Sequence, residues 1–219
     1  MFSFLKRKKV NIHSVSIPDL GWLKIKDDNS IIQWINPEQT IAISINFFAV
    51  PPDIPTLKNI EALRNFYRKG ISEVNGGIIE VELSNKDKLS IIRTIFKIPQ
   101  EISGITYLAS LALPFKTCSF VFKIQTAETG NTGFREAIVA SKLIPTIEIS
   151  SDENRNSKWA SDPYDPDFEG GLLMNKSEQA FYDIDFPNHH LTRTRQLLKQ
   201  IEANLQWTPE LETISPFNK

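Results

Sequence analysis

The sequence predicts an α+β protein. Its expected architecture is an antiparallel sheet of about six strands in ββαββββα order, packed with helices, plus an irregular C-terminal segment ending in a helix. Three observations carry this reading. Apolar residues alternate in several short runs, the period-two signature of half-buried strands. The gaps between most of those runs are too short for parallel crossovers, which need about a dozen residues or more. Two apolar stripes at helical spacing, over residues 57–74 and 191–205, mark helices.

The strand pattern starts at Ile31 in "SIIQWIN", closed by Pro37. In "TIAISINFFAV", Ile41, Ile43, Ile45 and Phe47 alternate with smaller or polar residues. "PPDIP" then breaks the run, since proline cannot donate to a sheet ladder. The first helix is expected from Leu57 to Val74, with Leu57, Ile60, Leu63, Phe66, Tyr67 and Ile71 on one stripe. Gly76-Gly77 is expected to end it in the left-handed conformation. Four strand candidates follow: "GIIEVELS", "KLSIIRTIFKI", "GITYLASLALPF" and "CSFVFKIQTA". "NKD" joins the first pair, and a turn near Pro114 to Thr117 joins the last. A second helix is expected from Gly133 to about Leu143. The last, from about Leu191 to Leu205, carries Leu191, Thr194, Leu197, Leu198, Ile201 and Leu205 on one stripe. The final "TPELETISPFNK" is expected to fray.

Over roughly residues 15–145, this order and these lengths resemble the PsbP-like α/β sandwich. In bacteria that fold includes small cytoplasmic adaptor and chaperone domains of secretion systems. The resemblance implies a non-catalytic protein that works by binding other proteins.

The chain divides by composition into a basic N-terminal arm (residues 1–14), the sheet domain (15–145) and an acidic, aromatic-containing extension (146–219) packed on the same domain. Between residues 150 and 190 there are nine Asp or Glu against three Lys or Arg. Yet Trp159, Tyr164, Phe168, Phe181, Tyr182 and Phe186 are spread through this stretch. Disordered tails are poor in aromatics, so the extension is expected to be ordered, with its aromatics docked. In the arm, Lys6, Arg7, Lys8 and Lys9 are flanked by Phe2, Phe4 and Leu5, a pattern that can touch an anionic membrane surface. A solvated terminus is the plainer account.

Composition narrows the chemistry. The 219 residues are 41% hydrophobic and 23% charged, enough for a real core, and the net charge of −1 argues against nucleic-acid binding. One cysteine, Cys118, excludes an internal disulfide and suits a reducing cytosol. The polar "VNIHSVSIPDLG" after the basic cluster is no secretory signal, and no stretch approaches the length of a membrane span. A cytoplasmic protein without membrane insertion is expected.

Each motif that imitates a known site lacks a decisive residue. "ETGNTGFREA" stands between a strand and a helix, as phosphate loops do. However, Gly130 and Gly133 have the wrong spacing, and Phe134 stands where a phosphate loop needs lysine. A strand-to-helix corner is expected, with Asn131 or Thr132 as cap and Arg135 paired to the acidic segment or to a partner. "DPDFEGGLLMNK" puts Asp165, Asp167, Glu169 and Gly170 at calcium-loop positions, but Lys176 replaces the closing glutamate. Cys118 lacks a nucleophile's surroundings and reads as a small buried hydrophobe. His189 and His190 are sequence neighbours and so no natural metal pair; their expected role is to open the last helix, with Asn188 or Thr192 as cap. The basic residues of that helix, Arg193, Arg195 and Lys199, are expected to pair with the acidic segment.

No catalytic residue, metal ligand or cofactor is assigned. The expected partner is another protein, such as a basic toxin or a secreted effector, and the expected role is that of a bacterial immunity protein, as in toxin–antitoxin pairs, or of a secretion-associated adaptor or chaperone. The expected contact residues are Trp159, Asp162, Tyr164, Asp165, Asp167, Phe168 and Glu169, with Arg135. One alternative is a hydrolase or transferase with a site built from His189, His190, Asp183 and Asp185. Another is a small-molecule or lipid carrier using an apolar cavity on the concave sheet face.

Overall fold

A computed structural model describes residues 9–147 and 159–219. The basic cluster Lys6, Arg7 and Lys8, with its apolar flank, lies outside the described residues. Seven strands form one antiparallel sheet. In chain order they are β1 (Leu23–Asp27), β2 (Ile31–Ile35), β3 (Ile41–Phe48) and, after helix α1 (Ile60–Ser72), β4 (Gly77–Lys86), β5 (Leu89–Pro99), β6 (Ile105–Pro114) and β7 (Ser119–Ala127). Helices α2 (Phe134–Ile147), α3 (His190–Asn204) and α4 (Pro209–Glu212) follow. In space the strands run β1-β2-β3-β7-β6-β5-β4, so the two hairpin runs join where β3 pairs with β7.

The predicted class is therefore the observed one, with one strand more than expected. Strand β1, "LKIKD", escapes the pattern because all five of its residues are exposed, so no buried face imposes alternation. It forms an edge broken by a bulge between Lys24 and Lys26, and bulges and lysines both discourage edge-to-edge association.

One sheet face carries the main core. Ile41, Ile43, Ile45, Ile95, Leu111 and Phe122 pack there against Leu191, Leu198 and Ile201 of α3. Cys118 belongs to the same buried cluster, and burial pushes its thiol pKa up, as suits a packing residue. The other face is covered by α1 over β4 and β5, with Leu63 against Ile78, Val81 and Ile92. A bulge between Ile78 and Glu80 lets Ile78 and Val81 serve this second layer while Ile79 faces the first.

Helix α1 ends differently from the expectation. The left-handed residue is Asn75 (φ 54°), whose N–H donates to the Ser72 carbonyl. Gly76 and Gly77 are needed for close approach instead. A Cβ on Gly77 would lie 1.6 Å from the Leu172 carbonyl oxygen, and one on Gly76 would lie 2.7 Å from that of Lys97. The extension crosses the start of β4 here, and the Leu172 N–H donates to the Gly76 carbonyl at 3.0 Å.

The extension also closes the β4 edge. The Val81 N–H donates to the Tyr164 hydroxyl, which donates in turn to Glu82 Oε1, each at 2.9 Å. Burial pushes the Tyr164 pKa up to about 12, so the group stays a neutral hydroxyl. Tyr164→Phe strands a buried amide and is expected to cost about 1–2 kcal/mol in urea unfolding, with an unchanged m-value.

The C-terminal tail does not fray. Leu211 of α4 is fully buried, Phe115 bridges to Pro216, and the Lys219 carbonyl accepts from Leu57 N and Thr56 Oγ1. At the other end Val15 pairs with Trp207, so the two ends of the described chain close on the same core.

Candidate functional site

The end of the sheet formed by the close of β5, the start of β6 and the close of β7 meets α2, α3 and residues 174–189 in a buried polar seam. Arg135 is its centre and is fully buried. Its Nε donates to the Ser177 carbonyl at 2.7 Å and its Nη2 to that of Gln179 at 3.1 Å. Its Nη1 donates to Asp183 Oδ1 at 3.0 Å and Thr192 Oγ1 at 3.1 Å. Arg195 reaches the same carboxylate, donating to Asp183 Oδ1 and Oδ2 at 2.9 and 3.1 Å. Two guanidinium groups thus share one aspartate. The expected pairing of Arg135 with the acidic segment is present; of the three basic residues expected to pair from the last helix, Arg195 does so, while Arg193 and Lys199 make no ion pair among the described residues.

Beside them, Lys97 Nζ donates to Glu178 Oε2 at 2.6 Å, with both side chains almost wholly buried. The Asn175 N–H donates to the same oxygen at 2.7 Å. Burial pushes the Glu178 pKa up and outweighs the opposing pull of Lys97.

The third part of the seam gathers Glu128, Glu136 and His189, whose ligand-type atoms lie within 4.8 Å of one another. His189 is the N-cap of α3: its Nδ1 accepts from the Leu191 N–H at 3.2 Å. The expected caps, Asn188 and Thr192, are displaced because Nδ1 already reaches that N–H. A nitrogen that accepts carries no proton, so the neutral ring holds its proton on Nε2, which faces Glu128 Oε1 at 3.1 Å. Coordination through Nε2 needs the opposite tautomer, with Nδ1–H aimed at a donor. Metal-bound histidines donate their second N–H to an acceptor, so these three groups fit a hydrogen-bonded clamp rather than a metal centre. Glu128 also accepts from the Ile105 N–H at 2.9 Å. Burial pushes the Glu128 pKa up, but the hydrogen bonds from His189 and then Ile105, with the nearby histidines, together outweigh it and hold the carboxyl below its usual range.

The four residues proposed for an unfamiliar hydrolase or transferase site do not converge. Asp183 is held by Arg135 and Arg195, and Asp185 pairs at the surface with Lys142 at 3.4 Å. The two imidazole rings are 6.4 Å apart at 71°. Sequence reasoning missed Lys97, Glu128 and Glu178, because their partners stand tens of residues away at no characteristic spacing.

The expected contact residues divide in two. Arg135 and Asp162 turn inward. Asp162 makes a two-pronged pair with Arg68, both contacts at 2.9 Å, and it also accepts from the Tyr164 and Asp165 N–H groups. Tyr164 is half-buried against β4, and the Arg64 guanidinium stacks 3.6 Å from its ring centre. Trp159 is half-buried, and its carbonyl accepts from Lys176 N. Phe168 is half-buried near Arg68. Asp167 and Glu169 are exposed and Asp165 is half-buried; none of the three makes an ion pair among the described residues. The phosphate-loop imitation is a corner: Gly130 and Gly133 take φ 73° and 75°, and Thr132 reaches Ser103 Oγ rather than capping α2. On the sheet face that also carries α1, the groove around Phe96, Leu108, Ala42 and Lys123 holds about 250 Å3. That is smaller than the cavity a carrier requires, on the order of 300–1,000 Å3.

Large apolar side chains also stand in the open at this end of the sheet. Ile102 is 99% exposed, Ile184 85%, Phe181 64% and Phe134 63%. They sit on three segments tied to one another. Thr132 Oγ1 and Ser103 Oγ join the 100–104 turn to the corner before α2, and Arg135 joins α2 to the 3-10 helix Ala180–Ile184.

No family model matches the sequence, and no curated protein matches it. Among solved structures, the chain is similar to the Ran-binding protein Mog1p of Saccharomyces cerevisiae. The identity is 10%, with 89% of this chain and 90% of that chain covered, at a TM-score of 0.48. It is also similar to cyanobacterial PsbP from Synechocystis sp. PCC 6803, at 10% identity over 61% of this chain and 84% of that one, with a TM-score of 0.41. A PsbP protein is thus among the structures this chain resembles, as the element order implied. At these identities the likeness is one of chain path alone. No helix among the described residues is long and apolar enough to cross a membrane.

Proposed function

We propose that this chain is a non-enzymatic, cytoplasmic protein whose work is to bind another protein at the end of the sheet that carries Ile102, Phe134, Phe181 and Ile184. The observation that supports this most is the exposure of those four apolar side chains on segments joined by the Arg135 hydrogen bonds and the Thr132–Ser103 contact. Exposed apolar groups on a rigid frame mark interaction surfaces, and aromatic anchors carry most of the energy in such contacts. Asp165, Asp167 and Glu169, on the part of the extension tied to α1 through Asp162 and Arg68, make no ion pair among the described residues and give the extension an acidic flank. An acidic flank speeds encounter with a basic partner. The finer reading is an immunity protein that neutralises a basic toxin, or an adaptor for a secreted effector.

The test is co-expression of the tagged chain with the products of adjacent genes, followed by titration of whatever co-purifies in stoichiometric amount. The Phe181→Asp, Ile184→Asp double variant should keep its unfolding free energy within about 0.5 kcal/mol, because both side chains are exposed. It should bind at least about thirtyfold more weakly, since one lost anchor is worth about 2 kcal/mol. Equal binding by the variant, or no stoichiometric partner at all, contradicts the proposal.

A further inference from the structure

His190 opens α3 directly after the capping residue His189. Its ring is half-buried, and its Nδ1 is buried with no hydrogen-bond partner among the described residues. A charge there would sit at the positive end of the helix dipole, beside the His189 ring and one turn from Arg193. The groups facing it are known from each packed element. Glu128 at the end of β7 favours the charged form, while His189 and Arg193 oppose it. Glu136 of α2 stands within reach of His189 and Glu128, with one buried carboxylate oxygen unpartnered among the described residues. The Tyr107 hydroxyl of β6 is buried without a partner among the described residues, and its ring meets His189.

We infer that His190 makes the seating of the α3 N-terminus proton-sensitive: neutral, it stays packed against the sheet end; charged, it must leave. Leaving pulls on the adjacent His189 cap and on the 3-10 helix Ala180–Ile184 held through Asp183 and Thr192. Burial, followed by the His189 ring, lowers the His190 pKa below the ordinary histidine value. A histidine lowered in the folded state contributes its full stability above about pH 6.5 and loses it as pH falls below that. Glu128 is lowered as a carboxylate, so its contribution is lost only at more acidic pH. Glu178 is raised and works in the opposite direction, which is why the comparison must isolate His190.

The latch needs no partner to be observed, so its failure leaves the protein-binding reading standing, and the reverse holds too. If both hold, mild acid loosens the segment that presents Phe181 and Ile184. The experiment is amide hydrogen exchange at Leu191, Thr192 and Arg193, at pH 7.0 and 5.5, corrected for intrinsic rates, in the full chain and in His190→Gln. In the natural chain, protection should fall about three- to tenfold, one histidine giving at most about tenfold over this interval. In His190→Gln it should fall less than about twofold. No fall in the natural chain, or an equal fall in the variant, overturns the inference. Should the variant fail to fold, the His190 ring titration followed by NMR decides: an apparent pKa of about 6.5 or higher overturns it and a lower one upholds it.

Discussion

Arg135→Ala removes about 3–5 kcal/mol of folding stability, the cost of breaking a buried ion pair by deleting one partner. The side chain is fully buried and makes four hydrogen bonds that hold two carbonyls, one carboxylate and one hydroxyl. Alanine leaves the Ser177 and Gln179 carbonyls without their Arg135 donor and leaves Asp183 to Arg195 and the Thr192 hydroxyl. Against a total of about 5–15 kcal/mol for an ordinary domain, a loss of that size unfolds much of the protein or shifts its urea midpoint by more than about 1 M. Arg135→Lys keeps the charge but not the planar fork, and should recover less than half of the loss. An alanine variant within about 1 kcal/mol of the natural chain would refute the seam as the fastening of the extension.

Lys97→Met should be nearly as costly, because it leaves Glu178 buried without its cation. The expected loss is about 3–5 kcal/mol at neutral pH. Two further measurements separate electrostatics from packing. The double change Lys97→Met, Glu178→Gln removes both charges and keeps an acceptor for the Asn175 N–H, so it should regain more than half of the loss. The sign of the pH dependence is fixed by burial. A raised carboxylate is destabilising when ionised, so the deficit of Lys97→Met should shrink as pH falls from 8 to 5 and Glu178 takes up a proton. A deficit independent of pH would mean that Lys97 acts through its methylene stem.

Different parts of this structure were legible in the sequence to different degrees, for physical reasons. Ile41, Ile43 and Ile45 alternate because one face of β3 is buried, and all three lie in the core. Strand β1 has no such face and left no pattern. Helix α3 announced itself through Leu191, Leu198 and Ile201, which are buried as their spacing requires. The polar seam was half visible. A basic pair of segments beside an acidic one foretold that Arg135 and Arg195 find carboxylates, and both find Asp183. Nothing in "KLSIIRTIFKI" distinguishes Lys97, a buried cation, from a solvated strand lysine. Its partner Glu178 is 81 residues away, and only the folded chain joins them. The docked tail was invisible for a similar reason, since Ser215 and Phe217 are held by backbone bonds to Lys116 and Pro114 that no side-chain pattern encodes.

The claim that this chain works by binding a protein at the seam end of its sheet is tested most directly by amide-exchange footprinting of the co-purified complex against the free chain. Binding there predicts new protection in residues 100–104, 133–136 and 180–186, with the outer surface of α1 unchanged. Protection confined to α1 or to the groove around Phe96 and Lys123 would contradict it.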